Sequence, residues 1–268
     1  MSSKSRSQIV LSVERVEWLT DHMVRIVAGG RGFDDFHDNG CTDRYVKIYF
    51  VPAGVDLQPP FDLKALRHTM DPADLPVKRT YTVRWVDVAR RQLAIDFVVH
   101  GDEGIAGPWA ASAQPGDRIL FGGPGGKYAP NSDADWHLFA GDESAIPAIS
   151  AALEALPADA TGVAYLEVDS LALAPAVTAP AGVEIRFVCR AGAGHDPQRL
   201  RDAVAAGPWP SGEVDVFAHG ERESMKALRT LFKERGVDKH HVSLSGYWAC
   251  GRTEDRFQSE KRELIGVV

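Results

Sequence analysis

The sequence contains few cysteines and no excess of basic residues. Its three cysteines, Cys41, Cys189 and Cys250, lie far apart and show no paired spacing that would bind zinc or an iron–sulfur cluster. Lysine and arginine total 30 against 37 aspartate and glutamate, which gives a formal net charge of −7. Nucleic acids and anionic membranes select basic surfaces. We therefore expect a reduced protein without a metal site, whose partner is neither of these and whose anion sites are local.

The sequence also lacks long apolar runs and several catalytic signatures. No segment approaches the roughly 20 apolar residues of a transmembrane helix, and residues 1–8 lead into an alternating segment without the apolar core of a signal peptide. P-loop, serine-hydrolase and zinc-protease signatures are absent. We expect a cytoplasmic protein, and a monomer because no coiled-coil repeat occurs. The hydrophobic share of 44% is normal for a globular protein.

The first half of the chain has the two-residue period of β-strands. Short segments rich in β-branched and aromatic residues follow one another without long helices. Strands are predicted at residues 9–13, 23–27, 45–50, 79–86, 93–99 and 117–121. Residues 51–76, rich in proline and acidic residues, predict a surface loop, and residues 107–113 predict one short helix. Six antiparallel strands are expected to close into a barrel, because closure removes the sheet edges.

The pattern changes in the second half. From Trp136 onward, apolar strands alternate with helical segments, which predicts crossover helices over a mainly parallel sheet. Helices are predicted at residues 145–156, 197–206 and 222–235, with a charged helix near the C-terminus. A polar run at residues 131–135 marks the boundary. We therefore predict a barrel domain at residues 1–130 and an α/β domain at residues 131–268.

Residues 79–84 place a cation, an aromatic ring and hydroxyl groups on one predicted strand. Because successive side chains of a strand point to opposite faces, Arg79 and Tyr81 share one face and Thr80 and Thr82 the other. A cation beside a phenol suits a phosphate next to a flat ring. A half-exposed edge strand with ordinary polar side chains explains the same residues, so this segment alone leaves both interpretations open.

The next predicted strand ends in glycines that lead into the short helix. Free main-chain N–H groups and the helix dipole at a helix N-terminus suit a pyrophosphate, and glycine permits close approach. Glycines also end many strands that bind nothing, and a histidine there is often a half-buried polar tip. The residues concerned are Val99, His100, Gly101, Gly104, Gly107 and Trp109.

Three further segments contain candidate ligand contacts. A glycine-rich segment before Lys127 suits a hinge or a cleft wall. Asp142 ends the first parallel strand, where nucleotides bind in α/β sheets, but carboxylates at this position would repel a phosphate. Tyr247 and Trp248 end the last strand. They either cover a flat ligand, with Arg252 at its edge, or pack the C-terminal helix onto the sheet.

These motifs, in this order, resemble the siderophore-interacting protein family, the FAD-containing ferric-siderophore reductases of the ferredoxin-reductase-like superfamily. The matching stretches are residues 79–84, 100–110, 123–126, 141–147 and 247–252. The resemblance implies a six-stranded antiparallel FAD-binding barrel followed by a parallel-sheet α/β domain like those that bind NAD(P)H. It also implies that Fe(III) in a ferric siderophore is reduced to Fe(II) by FAD, with electrons from NADH, NADPH or a ferredoxin. No side chain need act as an acid, base or nucleophile.

The resemblance further implies roles for individual residues. Arg79 is expected at the flavin phosphate, Tyr81 against the isoalloxazine and Thr82 near its reactive nitrogen. A basic pocket of Lys47, Lys127 and Arg252 is expected to hold an anionic siderophore. Family members often carry arginine after the tyrosine–tryptophan pair, where this chain has alanine and cysteine, so the pocket is less basic or Arg252 takes that role. The expected cofactor contacts are Arg79, Thr80, Tyr81, Thr82, Val99, His100, Gly101, Gly104, Gly107, Trp109, Asp142, Tyr247 and Trp248.

Two alternatives stay open at this point. A general NAD(P)H:flavin or ferredoxin-type reductase would share the barrel and the flavin strand, but should carry a cleaner glycine-rich nucleotide loop than residues 141–144. A non-catalytic siderophore carrier would need the basic pocket without the flavin strand.

Overall fold

The computed structural model describes residues 8–99, 101 and 104–268. His100, one of the expected cofactor contacts, lies outside the described residues. The chain forms two compact units, Met1–Lys127 and Tyr128–Val268. Each unit has its own hydrophobic core.

The first unit contains a closed antiparallel barrel, as predicted. Its six strands follow one another around the barrel in the order β1-β2-β5-β4-β3-β6. Two short helices, α1 (Leu63–Leu66) and α2 (Ala106–Ser112), interrupt the strand sequence. The strands are β1 (Gln8–Thr20), β2 (Met23–Gly29), β3 (Tyr45–Phe50), β4 (Val77–Asp87), β5 (Gln92–Val98) and β6 (Arg118–Gly125).

Alternation along the strands builds the barrel core. On β3, Val46, Ile48 and Phe50 are buried and the residues between them are partly exposed, as the two-residue period requires. Each fully buried side chain of this size contributes roughly 1.5–3 kcal/mol through the hydrophobic effect. The same core includes Ile9, Leu11, Val24, Ile26, Val83, Leu93, Ile95, Phe97 and Phe121.

The glycine-rich segment before Lys127, expected to be a hinge or a cleft wall, is mostly strand. Gly122 pairs with Lys47, and Gly125 pairs with Tyr45. A Cβ atom on Gly125 would overlap the Tyr45 ring. The glycines therefore extend β6, because this strand passes closely against an aromatic side chain of its neighbour.

The second unit contains a five-stranded parallel sheet in the order β11-β10-β7-β8-β9. Its strands are β7 (Trp136–Asp142), β8 (Thr161–Val168), β9 (Gly182–Cys189), β10 (Val214–Glu221) and β11 (Val242–Trp248). Its helices are α3 (Ile146–Ala155), α4 (Pro197–Ala206), α5 (Arg222–Glu234) and α6 (Glu254–Glu260). The predicted alternation of strands and crossover helices is confirmed.

The crossover helices change from one face of this sheet to the other. Helix α3, between β7 and β8, packs on the face that carries Phe139 and Phe217. Helices α4 and α5 pack on the opposite face, against Leu138 and Val216. The topological switch point therefore lies between the neighbouring strands β7 and β10, and ligands of open α/β sheets bind beyond the carboxyl ends of strands at such a point. Within the described residues, every helix is too short or too polar to traverse a lipid bilayer.

Candidate functional site

The strand with the expected flavin contacts is β4, whose first half pairs with β3. Tyr81 is in register with Val46, and Arg79 is in register with Ile48. Both partners are buried in the barrel core. Arg79 and Tyr81 therefore lie on the inner face of the strand, and Thr80 lies on the outer face, as the alternation predicted.

Strand β4 pairs with β5 only along its second half. The register between these strands begins at Val83 and Ile95. The N–H of Val83 donates to the carbonyl oxygen of Arg44, on the β3 side, at 2.8 Å. The N–H groups of Thr80 and Thr82, on alternate residues, therefore point to the β5 side. Because no register pair of the described strands joins these two residues to β5, they offer main-chain donors along an open seam.

Aromatic rings surround Tyr81 on its inner side. The ring centroids of Tyr81 and Phe97 are 4.3 Å apart, those of Phe97 and Trp109 are 5.7 Å apart, and those of Trp109 and Phe50 are 5.6 Å apart. Phe97 is fully buried, Val99 is buried in the same core, and Tyr81 and Trp109 are partly buried. Packing thus fixes the orientation of the Tyr81 ring while part of it stays exposed.

Arg79 supplies positive charge beside this ring. Its Nη1 donates to the carbonyl oxygen of Lys78 at 2.8 Å. No carboxylate of the described residues forms an ion pair with Arg79, so its guanidinium is available to an anionic ligand. A cation, a half-exposed ring and main-chain donors along one strand match the phosphate, the isoalloxazine and the polar edge of FAD. The residues present therefore fit this cofactor.

The glycines before α2 fall into two kinds. Gly101 and Gly104 have φ of 55° and 79°, in the left-handed region that favours glycine, and no atom lies near a Cβ built on either. Gly107 is buried, and a Cβ built on it would lie 3.2 Å from the carbonyl oxygen of Val98. The missing side chain of Gly107 therefore serves the packing of α2 on β5. A pyrophosphate contact at Gly101 and Gly104 stays a prediction.

Two of the expected substrate cations, Lys47 and Lys127, belong to the first unit. Lys47 is in register with Thr80, so it lies on the face of the sheet opposite to Arg79. The main-chain N–H of Lys127 donates to the Asp43 carboxylate at 2.8 Å, and its side chain is exposed. Neither ammonium group forms an ion pair with the residues that the structure describes. Both are therefore available to an anionic ligand.

Asp142 ends β7 at the switch point and is a buried acceptor. Its Oδ1 accepts the N–H of Ser144 at 2.9 Å and also the Ser144 hydroxyl. Its Oδ2 accepts the N–H of Glu221 and the Nε1–H of Trp248, each at 2.8 Å. Burial raises the pKa of this carboxyl group. Because all four acceptor positions are filled within the unit, Asp142 joins the ends of β7, β10 and β11 and has none left for a nucleotide.

The two aromatic residues that end β11 differ in their surroundings. The hydroxyl of Tyr247 lies 2.9 Å from Nδ1 of His219, whose Nε2 lies 3.0 Å from the Ser243 hydroxyl. Burial lowers the pKa of His219 to about 3, so this ring is neutral. Trp248 is 39% exposed, and its indole is held by its bond to Asp142. Trp248 is therefore the better of the two platforms for a flat ligand.

Arg252, the third expected substrate cation, lies in an ion-pair cluster of the second unit. The carboxylate of Glu260 is 2.6 Å from Arg222 Nη1, 2.9 Å from Arg252 Nε and 3.0 Å from Arg256 Nε. Hydrogen bonds from Arg222 and then from the other two guanidiniums lower the pKa of Glu260 to about 2. Glu260 therefore both orients Arg252 and offsets part of its charge.

Ion pairs along the carboxyl edge of the parallel sheet were missed by the sequence analysis. Arg190, which follows β9, makes a two-point contact with Glu143, with one distance of 2.8 Å, and lies 3.7 Å from Glu167. Nε2 of His195 lies 3.2 Å from the Glu221 carboxylate. A glycine-rich stretch with a basic residue at each end marks this loop in the sequence. The acids that it meets depend on the order of the strands, which the sequence does not display.

Two family models match the chain, one on each unit. A model described as the siderophore-interacting FAD-binding domain matches residues 12–128, and a model described as siderophore-interacting protein matches residues 134–251. The first match covers β4 with its open seam. The second covers the parallel sheet through Trp248.

Similar proteins cover nearly the whole chain. The ferric vibriobactin reductase of Vibrio cholerae is 32% identical, over 96% of this chain and 94% of that protein. The NADPH-dependent ferric-chelate reductase of Escherichia coli is 30% identical, over 89% of this chain and 91% of that protein. A crystal structure of a siderophore utilization protein from T. fusca superposes with a TM-score of 0.80 at 35% identity, covering 94% of this chain and 96% of that one.

Proposed function

This chain belongs to the siderophore-interacting protein family, and from that premise we propose that it is an FAD-dependent ferric-siderophore reductase. The observation that carries the proposal is the match of both units to siderophore-interacting family models. On the first unit this match coincides with a strand whose residues fit FAD. Relatives over nearly the full length are named ferric vibriobactin reductase and ferric-chelate reductase.

FAD held by these residues would supply the redox chemistry, taking two electrons from a reduced pyridine nucleotide and delivering them one at a time to Fe(III). One nucleotide therefore reduces two ferric ions. The Escherichia coli relative is named NADPH-dependent, and we propose NADPH as the donor here. Fe(II) holds hard oxygen ligands more weakly than Fe(III), so reduction releases the metal from its siderophore.

The residues of β4 bind and orient the cofactor in this proposal. Arg79 neutralises a phosphate, and the Tyr81 ring, fixed against Phe97, provides a flat contact for the isoalloxazine. The N–H groups of Thr80 and Thr82, which no register pair of the described strands joins to β5, bond to the polar edge of that ring system. None of these side chains needs to exchange a proton with the substrate.

Basic residues bind the substrate in this proposal. Ferric siderophores are often anionic, and Lys47 and Lys127 carry ammonium groups without carboxylate partners among the described residues. The chain as a whole has a formal charge of −7. Local cations are therefore needed to attract an anion to an acidic protein. Arg252 contributes less than a free arginine would, because Glu260 offsets its charge.

Replacement of Tyr81 tests the cofactor site. Tyr81→Ala removes the ring and should strip FAD from the purified protein or shift its visible spectrum. Tyr81→Phe keeps the ring and its contact with Phe97 and serves as the matched control. A Tyr81→Ala protein that stays fully loaded, with an unchanged spectrum, would contradict the assignment of this strand.

A reduction assay tests the activity itself. The holoprotein is mixed with NADPH and a ferric siderophore, and a coloured Fe(II) chelator reports the product. A protein that binds the siderophore but carries no flavin would be a carrier. A flavoprotein that reduces other acceptors but never a ferric siderophore would be a general reductase. Cytoplasmic location and a monomeric state are further proposals, tested by cell fractionation and sedimentation. Ferredoxin is the alternative donor, and substitution of reduced ferredoxin for NADPH in the same assay tests it.

A further inference from the structure

The loop between β9 and α4 crosses the carboxyl edge of the parallel sheet. It begins beside β9, at one edge of the sheet, yet its contacts reach residues at the ends of β7, β10 and β11. Arg190 contacts Glu143, just after β7, and Glu167, near the end of β8. His195 contacts Glu221, at the end of β10, and its ring centroid is 6.1 Å from that of Trp248, at the end of β11. We call residues 190–196 the strap.

The strap lies over the switch point between β7 and β10, where an open α/β sheet receives a dinucleotide. Beneath it, carboxylates already accept several main-chain N–H groups. Asp142 accepts the N–H of Glu221, and Glu221 accepts the N–H groups of Glu223 and Ser224 at the start of α5, as well as the N–H of Cys250. These are the groups that a pyrophosphate would otherwise use. Carboxylates therefore take up these donors, and the strap lies over them.

The Arg190–Glu143 ion pair holds the strap, and two of its residues have left-handed backbone. Arg190 and Glu143 are both largely shielded, with 19% and 16% of their side chains exposed. The N–H of Ala191 donates to the carbonyl oxygen of Asp169 at 2.9 Å. Ala191 and Gly192 both have left-handed backbone, with φ of 51° and 73°. An alanine in this region is strained, whereas glycine adopts it freely.

We propose that the strap sets the affinity of the protein for its reduced pyridine nucleotide, because the nucleotide enters the crevice only after the Arg190–Glu143 and His195–Glu221 contacts open. Opening removes the cover and releases the Arg190 guanidinium from Glu143. The closed strap and the bound nucleotide therefore exclude each other at the switch point between β7 and β10. This inference rests on the proposed use of NADPH as donor and adds the residues that control its access.

Backbone substitutions in the strap test the competition without changing any charge. Gly192→Ala introduces strain into the closed strap and should lower the dissociation constant of NADP⁺ about five-fold or more. Ala191→Gly relieves strain in the closed strap and should raise that constant by a similar factor. Gly194→Ala is the matched control, because this residue has no left-handed backbone and a Cβ built on it meets nothing within 4 Å.

Glu143→Gln provides an independent test through the ion pair. It removes the negative charge that lies closest to Arg190, while its amide oxygen can still accept the N–H of Asp169. The dissociation constant of NADP⁺ should fall in this variant too. Binding is measured on the FAD-loaded protein by calorimetry, and thermal melting shows that each variant is folded. Amide exchange at Ala191 and Ala193 should accelerate when NADP⁺ is added to the wild type.

The outcomes separate this inference from the proposed function. Equal NADP⁺ affinity in all variants would overturn the proposal that the strap sets this affinity. Tighter binding by Ala191→Gly together with weaker binding by Gly192→Ala would overturn it too. Absence of NADP⁺ binding from every variant would overturn it as well, even if chemically reduced FAD in the protein still reduced a ferric siderophore. Affinities that change as expected in a protein that never reduces ferric siderophores would support the strap and reject the proposed function.

Discussion

Acidification should destabilise the second unit through His219. This ring is 3% exposed, and its two nitrogens lie against the hydroxyls of Tyr247 and Ser243. The Phe217 ring centroid lies 3.9 Å from that of His219. Burial lowers the pKa of His219 from 6.5 to about 3. The unfolded chain therefore binds a proton at this residue between these two values while the folded chain does not, so stability is lost as the pH falls through that range.

The size of the effect follows from the shift. One pKa unit corresponds to about 1.4 kcal/mol, so lowering the pH from 7 to 5 should cost about 2 kcal/mol at this residue. Urea unfolding of the wild type at pH 7, 6 and 5 gives the total pH dependence. The same series on His219→Gln, which lacks a group that titrates in this range, gives the dependence without this residue. The prediction is that, between pH 7 and pH 5, the wild type loses about 2 kcal/mol more of its free energy of unfolding than His219→Gln does.

The controls compare how the free energy of unfolding changes with pH, not its absolute value. His219→Gln is expected to be less stable at pH 7 as well, since the amide cannot reproduce both contacts of the ring. His240, which is exposed, provides a matched histidine, and His240→Gln should keep the wild-type slope. Equal slopes for the wild type and His219→Gln would refute the reasoning.

Three further predictions concern packing and charge. Gly141→Ala should lower the melting temperature strongly, because its Cβ would lie 2.6 Å from the carbonyl oxygen of His219, and a wild-type melting curve would contradict this close approach. Asp96→Asn should reduce the free energy of unfolding in urea by about 3 kcal/mol, because it removes the charge from a carboxylate that is 3% exposed and accepts two bonds from the Arg25 guanidinium, at 2.7 and 2.8 Å. A change below roughly 0.5 kcal/mol would show that the pair is of the weak, surface type. Lys127→Gln should raise the KM for an anionic ferric siderophore several-fold at low salt and less at high salt, and an effect independent of ionic strength would exclude its charge as the cause.

Strand periodicity made the architecture predictable. The pattern of residues 45–50 predicted the strand β3, and the two-residue period assigned Arg79 and Tyr81 to one face of β4. The glycines at the end of β6 were not predicted as strand, because clustered glycines are typical of loops and hinges. Contact between Gly125 and the Tyr45 ring, which are far apart in the chain, makes this segment a strand.

The expected site residues were predictable to different degrees. Arg79, Tyr81 and the threonines beside them form a local pattern, which the sequence displays directly. Asp142 was expected among the cofactor contacts, and the structure adds that one of its oxygens accepts hydrogen bonds from groups at the ends of β10 and β11. Arg252 was expected in a basic substrate pocket, and the structure places the Glu260 carboxylate 2.9 Å from its Nε. These partners come from distant segments, so local patterns contain no sign of them.

The sequence by itself determined the two classes of structure, the strand with a cation and a ring on one face, and the family resemblance. Each depends on spacing within a few residues, where chain geometry alone decides which side chains share a face. Only the tertiary structure showed that β4 pairs with β5 along its second half alone. It also showed which carboxylates accept hydrogen bonds from within the protein, and that the loop after β9 reaches the end of β10. Those outcomes depend on strand order, register and burial, which are set by the packing of the whole unit.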